Sequence, residues 1–171
     1  MNLFMVHHNP VIAAEQLCDA HVVKMASETA QLLSTAIQNH LGKTEIAGLW
    51  KKTHAGHPMT IWAGRSRSNF LWALEHGLAL CSEYSKRYGR THAAEAIIHR
   101  AGSFEPIFDD TGYTSVPLCF GDYKPKGNFA PSLLDAAMHY RDYYRFKALH
   151  FKRPMKWKNS SAPSWMLEPA E

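Results

Sequence analysis

From Pro10 to His40 the chain runs without an internal glycine or proline, and this stretch constrains the fold more than any other feature. Asn9 is placed to cap a helix, Pro10 suits its first position, and Gly42 follows its end, so the spacing predicts one long helix. On a helical wheel Val22, Met25, Thr29, Leu32, Leu33 and Ala36 share one apolar face that needs a partner. Pro58 to Tyr88 reads as a second helical stretch, with Gly64 and Gly77 as bend points and Gly89 as its stop. Thr91 is placed to cap a short helix from Ala93 to Arg100, and Pro131 or Ser132 opens a last one reaching His150. Between Gly102 and Pro131, residues such as Pro106, Gly112, Pro117, Gly121, Pro125 and Gly127 break every pattern, which predicts an ordered loop region or a short strand pair. The expected fold class is all-α, a single helical domain over 1–171 with about four main helices. Within it, 102–130 forms an irregular loop region and 151–171 a basic, aromatic tail.

Composition narrows the class. At 46% apolar and 20% charged, the chain is neither disordered nor fibrous and can bury a core of its own. No apolar run approaches the ~18 residues of a membrane span. The start Met-Asn-Leu-Phe-Met-Val-His-His lacks an export signal, so no membrane partner and a cytoplasmic location are expected. Cys18, Cys81 and Cys119 are odd in number and widely spaced, as reduced thiols are. The balance of 19 Lys+Arg against 15 Asp+Glu gives +4 and a pI near 9.0, which favours a polyanionic partner.

Candidate chemistry sits first on the long helix. His21, Lys24, Glu28 and Gln31, three or four apart, form a polar stripe beside the apolar face. A surface Lys24–Glu28 pair worth about 0.2–0.5 kcal/mol would explain part of it. The functional alternative is that His21, Lys24 and Glu28 supply an acid/base, a cation and an orienting carboxylate at one wall of a cleft. Cys18-x-x-His21 and His54-x-x-His57 also have ligand spacing, so Cys18, His21, His54 and His57 form a weak candidate zinc set. A divalent metal ion is the one cofactor left open.

The segment from Thr53 to Asn69 is dense in donors. His54, His57, Arg65, Arg67 and Asn69 match what phosphate oxygens require, although Arg67 falls on a different helix face from Arg65 and Asn69. Glu83, Lys86, Arg87 and Arg90 fit a basic helix end that complements the helix dipole. In the last helix and tail, rings and cations interleave from Tyr140 to Lys158, the pattern that stacks bases and neutralises phosphates. Tyr140, Tyr144 and Leu149 are assigned to packing, Lys156 and Lys158 to the polyanion, and Trp62 and Trp157 to base stacking.

The runs Asn9 to Glu15, Cys18 to Met25 and Glu28 to Ser34 resemble a family of small helical proteins found mainly in phage genomes. The likeness continues through His57-Pro58, Trp62, Ser66 to Asn69, Leu78 to Tyr84 and Arg87-Tyr88-Gly89, nearly the whole chain. It departs at His7 and Asn9, where relatives often carry acidic residues. Such proteins are similar to the thymine pyrophosphorylase-like, or amino acid:DNA transferase, group of DNA thymine hypermodification, and in turn to helical DNA glycosylases. The resemblance implies a transferase that displaces pyrophosphate from pyrophosphorylated 5-hydroxymethyl-uracil in phage DNA. The displacing group would be the amine of an amino acid such as glycine, or of a polyamine, and the place the host cytoplasm. On that reading His21 or Glu28 takes the amine proton, while Lys24, Arg65, Arg67, His54 and His57 hold the leaving pyrophosphate. Two alternatives stay open: a DNA glycosylase or lyase with a desolvated Lys24 as amine nucleophile, and a non-catalytic nucleic-acid-binding module.

Overall fold

The stretch expected to form one long helix forms two, α1 (Pro10–Gln16) and α2 (Asp19–His40), in the computed structural model, which describes residues 1–121, 123 and 127–167. Pro125 of the irregular region and the last four residues of the tail lie outside the described residues. Asn9 caps α1 as expected, its Oδ1 accepting from the Val11 and Ile12 N–H groups at 2.9 and 3.1 Å. The chain then turns extended at Leu17 and Cys18. Its cause is remote in sequence. The fully buried Arg87 guanidinium donates to the carbonyls of Glu15 at 3.0 Å and Leu17 at 2.8 Å, satisfying groups that a helix end leaves open. Tyr144 Oη accepts from the Cys18 N–H at 2.9 Å. Arg87 also pairs with Glu83 at 2.9 Å and Asp19 at 3.1 Å. Glu83 and Arg87 therefore belong to the interior, and not to a solvated basic helix end.

The second stretch also divides, into α3 (Pro58–Ala63) and α4 (Arg67–Tyr88). Ser66 restarts the helix, its Oγ accepting from the Asn69 N–H at 3.1 Å. Gly89, at φ 66°, closes α4 in the left-handed conformation that glycine adopts without a Cβ clash. The next helix, α5 (Glu95–Gly102), begins later than Thr91 predicts, because the chain first turns at His92, whose Nδ1 accepts from the Ala94 N–H at 3.1 Å. Ser132 caps α6 (Leu133–His150), accepting from the Asp135 N–H at 3.2 Å. Six α-helices thus stand among the described residues where about four were expected. The fold is all-α. In the irregular region β1 (Val116–Pro117) pairs antiparallel with β2 (Phe129–Ala130), Val116 opposite Ala130.

The apolar face of α2 organises the packing. Val22, Met25, Thr29, Leu32, Leu33 and Ala36 are all buried, with α4, α5 and α3 packed against the helix and α1 laid on α4. The α2/α4 approach is close enough that a Cβ on Gly77 would fall 2.8 Å from Thr29 Cγ2 and 3.1 Å from Ile98 Cδ1. Tyr140 and Tyr144 are core residues, as expected; Leu149 is 83% exposed and is not. Cys18, Cys81 and Cys119 are free thiols. No helix among the described residues is long and apolar enough to cross a membrane.

Candidate functional site

The polar stripe of α2 opens onto a cleft of about 470 Å³ whose lining includes His21, Lys24, Glu28, His57, Tyr143 and Lys147. Four other parts of the chain complete it, among them Cys119 and Gly121 of the irregular region. The buried amino-terminal segment passes over one side, pinned by Asn2, whose Oδ1 accepts from the Leu3 and Phe4 N–H groups at 2.8 and 2.9 Å. Asn2 Nδ2 donates to the Cys119 carbonyl at 2.6 Å. Phe4 sits at φ 47°, a left-handed conformation costly for a residue with a Cβ, and its ring stacks on His21 with centroids 4.5 Å apart. The start of α3 contributes His57, and α6 contributes Tyr143 and Lys147.

Charges are arranged around a neutral imidazole. Glu28 Oε1 lies 3.2 Å from Lys24 Nζ; Glu28 Oε2 accepts from the Asn2 N–H at 3.0 Å, with the Met1 ammonium at 4.0 Å. Lys147 Nζ rides over the Phe4 and Tyr143 rings, 5.8 and 5.5 Å from their centroids. No carboxylate among the described residues lies within salt-bridge distance of it. His21 Nδ1 lies 2.7 Å from Tyr144 Oη. Burial first, then Lys147 and Lys24, push the His21 imidazole down to about 3, so it stays uncharged at neutral pH. Burial likewise lowers His57, helped by the amino terminus and His54 and opposed by Glu28. Tyr144 is held well above the ordinary phenol range, chiefly by burial.

His21, Lys24, Glu28 and His57 therefore meet, and several other expected residues do not join them. His54 is exposed and outside the cleft lining. Arg65 lines a separate depression beside Asn39 and His40. Arg67 is taken up by an ion pair with Glu105. Asn69 is fully buried: its Nδ2 donates to the Trp62 carbonyl at 2.8 Å and to Thr114 Oγ1 at 2.7 Å, and its Oδ1 accepts from the Thr114 N–H at 3.2 Å. Trp62 is 3% exposed, with its indole set edge-on to Trp72, and has no face for a base. Trp157 is half-buried and anchors the tail by donating to the Gln16 carbonyl at 3.0 Å. Lys158 lies over the Tyr88 ring, 5.4 Å from its centroid, whereas Lys156 lines an open groove with Lys152 and Arg153.

The candidate zinc set does not assemble. Cys18 Sγ comes within 3.5 Å of His21 Nδ1, but no group of three or more His, Cys, Asp or Glu among the described residues is placed to hold a metal ion. The sequence reading also missed Asn2, Phe4, Tyr143 and Lys147. Lys147 and Tyr143 did carry a signal, since they stand in the interleaved run of rings and cations on α6. No family model, curated protein or solved structure matches this chain.

Proposed function

We propose that the chain is a transferase that modifies a base in DNA, exchanging the pyrophosphate of a pyrophosphorylated 5-hydroxymethyl-uracil for an amine. One observation carries the reading: a carboxylate, a neutral imidazole and the two cations Lys24 and Lys147 line a single open cleft. The exchange forms a bond from the amine nitrogen to the exocyclic carbon and breaks that carbon's bond to oxygen. Pyrophosphate leaves with the electron pair, and the amine loses one proton. Glu28 suits the proton acceptor, since it is a carboxylate at the cleft wall. His21 does not suit that part, because an imidazole held near 3 has little affinity for a proton. With Nδ1 engaged by Tyr144, its Nε2 serves instead to orient a ligand. Lys24 and Lys147 offset the charge that builds on the leaving group. Phe4 and Tyr143 bound the cleft as buried walls and, like Trp62, are packed against other rings, so the substrate meets their edges.

The glycosylase alternative asks for a desolvated Lys24, and this side chain is 69% exposed and paired with Glu28. The test is transfer of glycine or putrescine onto pyrophosphorylated DNA, read by mass spectrometry of the digested nucleosides. Glu28→Gln is expected to lower the rate by about 100-fold or more. Wild-type protein that binds the DNA but yields no modified nucleoside with any amine would overturn the proposal and leave a binding module.

A further inference from the structure

The cleft is one of three adjoining depressions. It shares Tyr143 and Lys147 with a small pocket of about 170 Å³, which in turn shares His150 and Phe151 with a groove of about 810 Å³. That groove runs between the start of α2 and the chain after α6, held together by the Asp19 N–H donating to the Lys156 carbonyl at 2.8 Å. Its lining carries three cations, Lys152, Arg153 and Lys156. The one carboxylate in it, Asp19, is already engaged, by Arg87 at 3.1 Å and by the Lys158 N–H at 2.9 and 3.1 Å. Rings line the connecting stretch: Phe146 is packed against His150 and Tyr123, 4.2 and 5.0 Å between centroids, while half-buried Phe151 meets His21 edge-on at 5.3 Å.

We infer that this track holds a single strand of DNA, its phosphates on Lys152, Arg153 and Lys156 and a base against Phe151, leading into the cleft at Lys147. The inference deepens the transferase reading and rests on it for the choice of DNA. Charge argues for a polyanion: positive side chains line the groove, and its one carboxylate is spent. Rings argue for a strand with exposed base faces, because a duplex presents only base edges and phosphates in its grooves, whereas unstacked bases present faces. The connection at Lys147 argues for direction, since the strand that lies in the groove is then the one that delivers its base.

The test is fluorescence anisotropy of end-labelled DNA of about 12 nucleotides, single-stranded and duplex, between about 50 and 200 mM salt. The single strand is expected to bind wild type at least about tenfold more tightly than the duplex. The variant K152A/R153A/K156A changes three exposed side chains and is expected to make the logarithmic salt dependence shallower by about 2, at about 0.7 per phosphate contact on a single strand. Phe151→Leu is expected to weaken binding about five- to tenfold and leave the salt slope unchanged. Equal or tighter binding of the duplex would overturn the single-strand inference and leave the transferase reading standing, as would single-strand binding in the triple variant indistinguishable from wild type. Groove-dependent single-strand binding together with no transfer product would uphold the track and overturn the transferase instead.

Discussion

Two segments with nearly the same sequence chemistry have opposite fates in this molecule. The stripe of α2 and the start of α4 each bring histidine or arginine together with a polar partner at helical spacing. On α2 the stripe lies at the margin of the buried face, so His21, Lys24 and Glu28 reach a cleft that no neighbouring element fills. At α4 the polar groups are consumed by the fold: Ser66 caps the helix, Asn69 ties α3 to the irregular region, and Arg67 pairs with Glu105. The recruitment differs in degree: on α2 Glu28 takes one backbone N–H, that of Asn2, and still lines the cleft, whereas at the start of α4 Ser66 and Asn69 are spent on backbone groups and Arg67 on Glu105. Within α2 the carbonyls and N–H groups bond to one another, while at a helix start and in a loop they recruit side chains.

The comparison breaks or holds on two substitutions of the same kind. Glu28→Gln should remove most of the transfer rate, about 100-fold or more, and cost only about 1 kcal/mol of stability, because the amide oxygen can still accept from the Asn2 N–H and the lost pairs with Lys24 and the amino terminus are partly solvated. Asn69→Ala should do the reverse. It strands the Thr114 N–H and removes the donors to Thr114 Oγ1 and the Trp62 carbonyl, the latter keeping the Arg65 N–H, and is expected to cost about 1–3 kcal/mol of stability, with transfer near wild type at temperatures where the variant stays folded. Thermal melts beside rate measurements decide it. If Asn69→Ala proved stable but inactive, the start of α4 would belong to the site after all.

How much of this was legible in the sequence follows from where each cause lies. The α2 stripe and its apolar face were readable because helical period alone fixes them. The α1/α2 break was not, because no glycine or proline marks it and its carbonyls are satisfied by Arg87 from the far end of α4. Asn69 and Trp62 looked available because their partner, Thr114, comes from the irregular region, which has no period to place it. Phe4 and Lys147 entered the cleft through tertiary packing, which brings the amino-terminal segment and α6 to the same wall.

Acid should weaken the interior beside both helices, α2 at His21 and the middle of α4 at His76. Burial pushes His21 down to about 3 and His76 down to about 4, so in the folded protein both stay neutral well below the ordinary histidine value of 6.5. Between pH 6.5 and 4 the unfolded chain binds protons at these sites that the folded chain does not, and stability therefore rises with pH. Each histidine contributes up to about 1.4 kcal/mol per pH unit in that window. The melting temperature should fall steadily from pH 7 to pH 5 and fall less in His76→Phe. A melting temperature flat across that range would show that neither ring is held neutral by burial.

The smallest expected effect is the sharpest test of the contrast. Arg67 stands in the segment whose composition most strongly suggested phosphate binding, yet its guanidinium is engaged by Glu105 and its backbone N–H by the Asp109 carbonyl at 2.9 Å. A cation already paired with a carboxylate releases few counterions when DNA arrives, so Arg67→Ala should change single-strand affinity by less than about threefold and leave the salt slope within about 0.3 of wild type. Glu105→Ala frees the arginine without removing it. If the start of α4 faces DNA, that variant binds more tightly than wild type; if the track at Lys152 and Arg153 alone carries the strand, both variants bind as wild type does. Measuring the pair together separates an arginine that is silenced by its partner from one that lies away from the path of the strand.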